Sequence, residues 1–155
     1  MQVGNDLHKD TAMAPKTDFP TADFTAANAA FYRAFAQADF GAMSRLWAEG
    51  LAVSCCHPGA APILGRGDIL DSWRQIFLHG QPSDIAFLPQ QMTVIGGIGI
   101  ACGLERFGNG QIACTNLFAE ENGAWRMIHH QGGPILGSAQ RPPQRRPDPS
   151  QATRH

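Results

Sequence analysis

From Ile85 onward the chain falls into four apolar runs of strand length separated by glycine punctuation: Ile85–Ile95, Ile98–Phe107, Gln111–Glu120 and Trp125–Gln131. Gly96-Gly97, Gly108-Asn109-Gly110 and Asn122-Gly123 stand between them, the residue types that tight hairpins need where φ must turn positive. Four consecutive hairpin-linked strands restrict the C-terminal half to an antiparallel meander. Such a sheet must cover one face with something else.

The N-terminal half supplies the cover. Thr25 can cap a helix to about Ala38, with Ala27, Ala30, Phe31, Ala34 and Phe35 as its apolar stripe. Asp39 is placed to cap a short second helix carrying Phe40, Met43, Leu46 and Trp47. Leu51–His57 reads as a strand and Pro58–Gly65 as a loop. Asp68 opens a third helix to about Leu78, with Ile69, Trp73, Ile76 and Phe77 on one side and Gly80 as its stop. Helices followed by a meander make an α+β chain, a curved antiparallel sheet wrapped on N-terminal helices with a concavity between them. Residues 1–23 read as a mobile arm, 24–134 as the folded domain and 135–155 as a disordered Pro/Arg-rich tail.

At 155 residues there is room for one domain with one core. The formal charge of −1 is unevenly placed: residues 135–155 hold four arginines against Asp148, a net +3, leaving −4 for the remainder. An acidic body with a basic tail argues against a nucleic-acid binder. No apolar run approaches the roughly 20 residues that span a bilayer, and Met1–Phe24 lacks the signal-peptide pattern, so a cytoplasmic, non-membrane protein is expected. Cys55, Cys56, Cys102 and Cys114 contain no C-x-x-C, and adjacent Cys55 and Cys56 point to opposite faces of a strand. Buried free thiols are the expectation.

The order of these elements resembles the nuclear transport factor 2-like superfamily, in its SnoaL-like and ketosteroid isomerase-related branch. The features that carry the resemblance are the helix pair through Asp39, the strand–turn–Gly65-Arg66-Gly67–helix block over 51–77, and the closing Asn122-Gly123-Ala124-Trp125-Arg126-Met127-Ile128-His129-His130. It implies an α+β cone with a ligand pocket and a homodimer.

The resemblance places His57, just before Pro58, where ketosteroid isomerases keep a catalytic carboxylate. A histidine there either abstracts a proton near neutral pH or holds a turn backbone. Glu105 shares a strand face with Gly103 and Phe107. By period alone either face can be the inner one, and the resemblance selects this one for a base or a carboxylate paired with a histidine, with a solvated strand carboxylate or a salt bridge near Arg106 as the competing role. Asn116, with Cys114 and Phe118, makes the more pocket-like face of the next strand. His129 and His130 cannot both point inward. The resemblance puts Ile128 and His130 on the concave side and Trp125, Met127 and His129 on the other, where they form a candidate dimer patch. Trp47, Trp73, Phe77 and Phe118 are the expected apolar walls, and core packing is the competing role for each. Arg66 either holds an anion or caps backbone carbonyls.

The oxyanion donors of the isomerases are not in register. Phe31 holds the helix position with Tyr32 one residue out of phase, and the acid position is Thr115 or Asn116. Cys55, His57, Glu105 and His130 can ligate metals, but no spacing motif links them, so no metal and no cofactor are expected. The two readings that follow are a proton-transfer enzyme (isomerase, cyclase or dehydratase) on a small apolar substrate with a polar handle, and a non-catalytic small-molecule-binding or assembly domain.

Overall fold

Glycine and asparagine set the hairpins where expected. Gly96 and Gly97 take φ of 58° and 81°, and Asn122 and Gly123 take 54° and 80°, so both two-residue turns have positive φ at each central position. The computed structural model describes residues 21–136. Its elements in chain order are α1 (Thr21–Ala36), α2 (Phe40–Leu46), β1 (Ser54–Cys56), β2 (Ile63–Leu64), α3 (Arg66–His79), β3 (Ala86–Ile95), β4 (Ile98–Phe107), β5 (Gly110–Glu121) and β6 (Ala124–Pro134). The arm over 1–20 and the tail beyond 136 lie outside the described residues.

Six strands form one sheet in the order β2-β1-β6-β5-β4-β3. The meander β3 to β6 is antiparallel throughout, but β1 joins β6 in parallel, pairing Cys55 with His130. The sheet is therefore mixed rather than purely antiparallel. A parallel pair needs a long crossover, and the α3–β3–β4–β5 excursion supplies it. Only Ser54–Cys56 of the expected strand is regular, and the expected loop contains β2, antiparallel to β1.

Asp39 caps α2 as expected, its Oδ1 accepting from the Ala42 amide at 2.8 Å. Two starts differ. Helix α1 begins four residues earlier, with Asp23 in its first turn facing the positive end of the helix dipole. Helix α3 begins at Arg66 behind Gly65 (φ 85°), which leaves Asp68 inside the first turn rather than capping it.

The core lies between the helices and the inner sheet face. Phe24, Phe31, Trp47, Ile69, Phe118 and Met127 are fully buried there. Phe31 packs edge-on against Trp73 at 5.5 Å, and Phe24 meets Phe118 at the same ring separation. Among the described residues no helix is long and apolar enough to cross a membrane.

One register shift corrects the reading of β6. Leu117 pairs with His129 and Phe118 with Met127, so Ile128 is an extra residue in a β-bulge. The bulge resets the alternation. Trp125 and Met127 face the core together with His130, so the outward patch Trp125–Met127–His129 does not exist. Of the three only His129 turns away, its Nδ1 2.7 Å from Ser54 Oγ.

Candidate functional site: an apolar cleft with two histidines and a carboxyl

His57 follows the last residue of β1, where the chain leaves the sheet at Pro58. His130 lies beside it on β6, and Glu105 comes from the inner face of β4. All three line one cleft of about 260 Å³ between the sheet and α3. Phe35, Trp73, Ile76, Ile85, Phe107 and Ile112 make its walls apolar.

Hydrogen bonding assigns each group its protons. Ser72 Oγ donates to the Ile69 carbonyl at 2.7 Å, so its single proton is committed. The 2.9 Å contact to His57 Nε2 must then carry the histidine's N–H, which leaves the Nδ1 lone pair open, 3.9 Å from Cys55 Sγ. Burial lowers the His57 pKa and keeps the imidazole neutral. The ring stands edge-on to Trp73, 4.8 Å between centroids, and 6.2 Å from His130.

His130 is held from behind. Its Nδ1 donates to Asn116 Oδ1 at 2.7 Å, and Asn116 Nδ2 in turn donates to Asn28 Oδ1 at 2.9 Å and to the Tyr32 hydroxyl at 3.0 Å. Burial, reinforced by the nearby His57 and His129, lowers the His130 pKa to about 3. It is a neutral imidazole with its Nε2 lone pair uncommitted to any described residue.

Tyr32 donates to Glu105 Oε1 at 2.9 Å and lies 3.3 Å from Cys114 Sγ. Burial pushes the Glu105 carboxyl above its ordinary range, against the opposing pull of the Tyr32 and Cys114 hydrogen bonds. Burial also raises the Tyr32 phenol and lifts the Cys55 and Cys114 thiols to about 12. Neither thiol is a thiolate near neutral pH, so a cysteine nucleophile has no support. The site therefore brings a carboxyl whose pKa burial raises together with two imidazoles whose pKa burial lowers, in a largely apolar wall.

Trp73 lines this cleft and is 1% exposed, yet its indole Nε1 has no hydrogen-bond partner among the described residues. That nitrogen is itself buried and does not face the open volume of the cleft.

The other expected residues distribute unevenly. Asn116 stands one layer behind the cleft as the organiser of the network. Phe77 packs on Phe35 and Trp73 at 6.3 and 6.1 Å, supporting the wall rather than lining it. Trp47 and Phe118 do not reach the cleft. Trp47 bridges to Met127, and Phe118 packs under Phe24, so both are core. Arg66 donates to the Ser44 carbonyl at 2.8 Å and pairs with Glu49 at 3.7 Å, tying α3 to the end of α2. No group of three or more His, Cys, Asp or Glu converges as a metal site among the described residues.

Tyr32 is the residue that sequence reading set aside as out of phase. Its buried face of α1 is wider than an alanine–phenylalanine stripe: Phe24, Asn28, Phe31, Tyr32 and Phe35 all point inward. A polar residue in register with that stripe, Asn28 four before Tyr32, was the available signal.

With this geometry in place, comparison with known proteins defines the class. The SnoaL-like domain profile matches residues 25–136, and the chain belongs to that family. Among solved structures, a candidate dehydratase of the nuclear transport factor 2-like family from Streptomyces avermitilis is 27% identical, with a TM-score of 0.66 over 76% of this chain and 96% of that one. A candidate calcium/calmodulin-dependent protein kinase type II association domain from Thiobacillus denitrificans is 29% identical, with a TM-score of 0.61 over 72% of this chain and 94% of that one. The F-box protein SKIP8 of Arabidopsis thaliana is 27% identical over 112 residues, 70% of this chain and 48% of the plant protein. The chain thus spans about half the length of that curated relative.

Proposed function

We propose that this protein is a proton-transfer enzyme of the dehydratase or isomerase type, acting on a small uncharged apolar molecule that carries a carbonyl or hydroxyl group. The observation that carries the reading is that Glu105, whose carboxyl pKa burial raises, and His57, whose imidazole pKa burial lowers, line one otherwise apolar cleft. Shifts in those opposite directions suit the carboxyl to act as general acid and the imidazole as general base. The cleft volume of about 260 Å³ corresponds to eight or nine waters at roughly 30 Å³ each, which fits a small substrate.

In a dehydration, His57 Nδ1 takes the hydrogen α to the substrate carbonyl, the carbon–carbon double bond forms and the β carbon–oxygen bond breaks. The Glu105 proton goes to the departing hydroxide, which leaves as water. His130, with Nδ1 committed to Asn116, orients the substrate by accepting from its hydroxyl at Nε2. The likeness to the Streptomyces candidate dehydratase supports this reaction class.

The test is turnover of a panel of small β-hydroxy ketones, followed by enone absorbance, with wild type, His57→Ala and Glu105→Gln. Loss of turnover in both variants is expected. Equal rates in wild type and His57→Ala remove His57 from the mechanism.

A second reading, a ligand-binding or assembly domain, is favoured by one observation. The protons of Tyr32, of the Asn116 amide and of His130 Nδ1 are all committed within the network, so fewer donors face a reacting oxygen. The likeness to the Thiobacillus association domain supports it. In either reading the half-buried outer face of β4 and β5, with Ile100, Leu104 and Leu117, is the surface we assign to homodimerisation. A monomer at micromolar concentration by light scattering removes that assignment.

A further inference from the structure

A second cleft of about 450 Å³ runs on the other side of the Tyr32 side chain, between α1 and β3. Asn28, Tyr32 and Arg33 line it from α1, and Phe87 and Met92 from β3, with Ile85 at one end. The Tyr32 and Phe87 rings stack at 5.1 Å with 13° between planes, which gives the apolar part a flat wall.

Besides Thr25 and the Tyr32 hydroxyl, two polar groups line the cleft, Asn28 and Arg33, and each has donors without a side-chain partner among the described residues. Asn28 is 3% exposed, and its Oδ1 is taken by Asn116. No described residue accepts from its Nδ2, so a buried amide donor is left to the cleft it lines. Arg33 is exposed, and the ion pairs among the described residues, Arg66–Glu49 and Arg74–Asp71, do not include it. Five residues apart on a helix, Asn28 and Arg33 differ by about 140° in direction and about 7.5 Å along the axis. One sits at the inner floor and the other at the outer rim.

This chemistry differs from that of the inner cleft. No arginine or lysine lines the site of His57 and Glu105, whereas this one has at its mouth a guanidinium without an ion pair among the described residues. Arginine with an apolar approach suits a carboxylate held by charge-assisted hydrogen bonds.

We propose that the cleft between α1 and β3 is a second ligand site, for a small apolar carboxylate that carries one further acceptor oxygen. The carboxylate pairs with Arg33, the second oxygen accepts from Asn28 Nδ2, and the hydrocarbon lies between Phe87 and Met92. The site does not rest on proton transfer in the inner cleft, and its test needs no turnover.

The probe is 3-benzoylpropionate, an aryl keto acid, titrated into the full chain by calorimetry and by nuclear magnetic resonance. Wild type shows saturable binding with Overhauser contacts to the Met92 methyl. Arg33→Gln, and Ala29→Leu at an exposed position that fills the cleft, each weaken binding about tenfold or more, and the methyl ester loses a similar factor on wild type. Both variants alter exposed helix positions and keep the fold, which the unbound spectra verify. No saturation by about 10 mM probe, a range in which even millimolar binding would register, overturns the proposal. So do unchanged affinities in both variants, or contacts to Ile76 and Ile112 in place of Met92.

Discussion

Acidification from pH 8 to pH 5 removes stability through His130, and the size of the loss follows from its environment. The imidazole has a folded pKa of about 3 against an ordinary 6.5. Below 6.5 the unfolded chain binds a proton that the folded chain refuses, so the unfolded state gains as pH falls. At pH 5 the gap is about 1.5 units, or about 2 kcal/mol at 1.36 kcal/mol per unit, while at pH 8 it is negligible. With a urea slope of roughly 2 kcal/mol per molar, the midpoint falls by about 1 M. His57, also lowered by burial, adds to this loss. Glu105 acts oppositely: its raised pKa gives the folded state an extra proton above the ordinary carboxyl value, so stability returns as pH falls through its folded pKa. The assay is therefore a difference, urea unfolding of wild type and His130→Gln at both pH values. The wild type should lose about 2 kcal/mol more than the variant between pH 8 and pH 5. In parallel, the His130 ring resonances of wild type should not titrate above about pH 4. Equal pH dependence in the two proteins, together with a His130 ring that titrates near its ordinary pKa, would mean that His130 is not held neutral by burial.

Tyr32→Phe removes the hydroxyl that donates to Glu105 and accepts from Asn116, which keeps Asn28 and His130 as partners, and should cost about 1–3 kcal/mol in chemical denaturation while raising the Glu105 pKa further; an unchanged midpoint contradicts the network. Gly103→Ala places a methyl group against the Leu88 carbonyl and 2.8 Å from the Phe87 ring, whereas Gly133→Ala meets nothing within 4 Å. The first should lose about 1–3 kcal/mol or fail to fold, and the second should be nearly neutral; similar melting temperatures for both contradict the β3–β4 packing.

The glycine turns made the fold legible. Gly96-Gly97 and Asn122-Gly123 state both the position and the hand of their hairpins. Asp39 was equally plain, because a cap acts through a local bond. The Ile128 bulge was not legible: an isoleucine in a strand carries no mark of being unpaired, and only cross-strand register shows that Trp125, Met127 and His130 share a face. The inward placement of Tyr32 was hidden for a related reason, since the width of a buried helix face depends on what packs against it. His57, Glu105, Trp73 and His130 lie in widely separated segments, and the inner cleft brings them together. Their protonation states come from Ser72, Asn116 and burial, which residue order does not encode.

Removal of a proton from carbon by His57 in the inner cleft is read out by solvent exchange. In deuterated buffer near neutral pH, wild type should speed deuterium uptake at the α carbon of 4-phenyl-2-butanone above the buffer rate, and His57→Ala should abolish about a hundredfold or more of that acceleration. Exchange by His57→Ala at the wild-type rate, or by wild type at the buffer rate, contradicts the account.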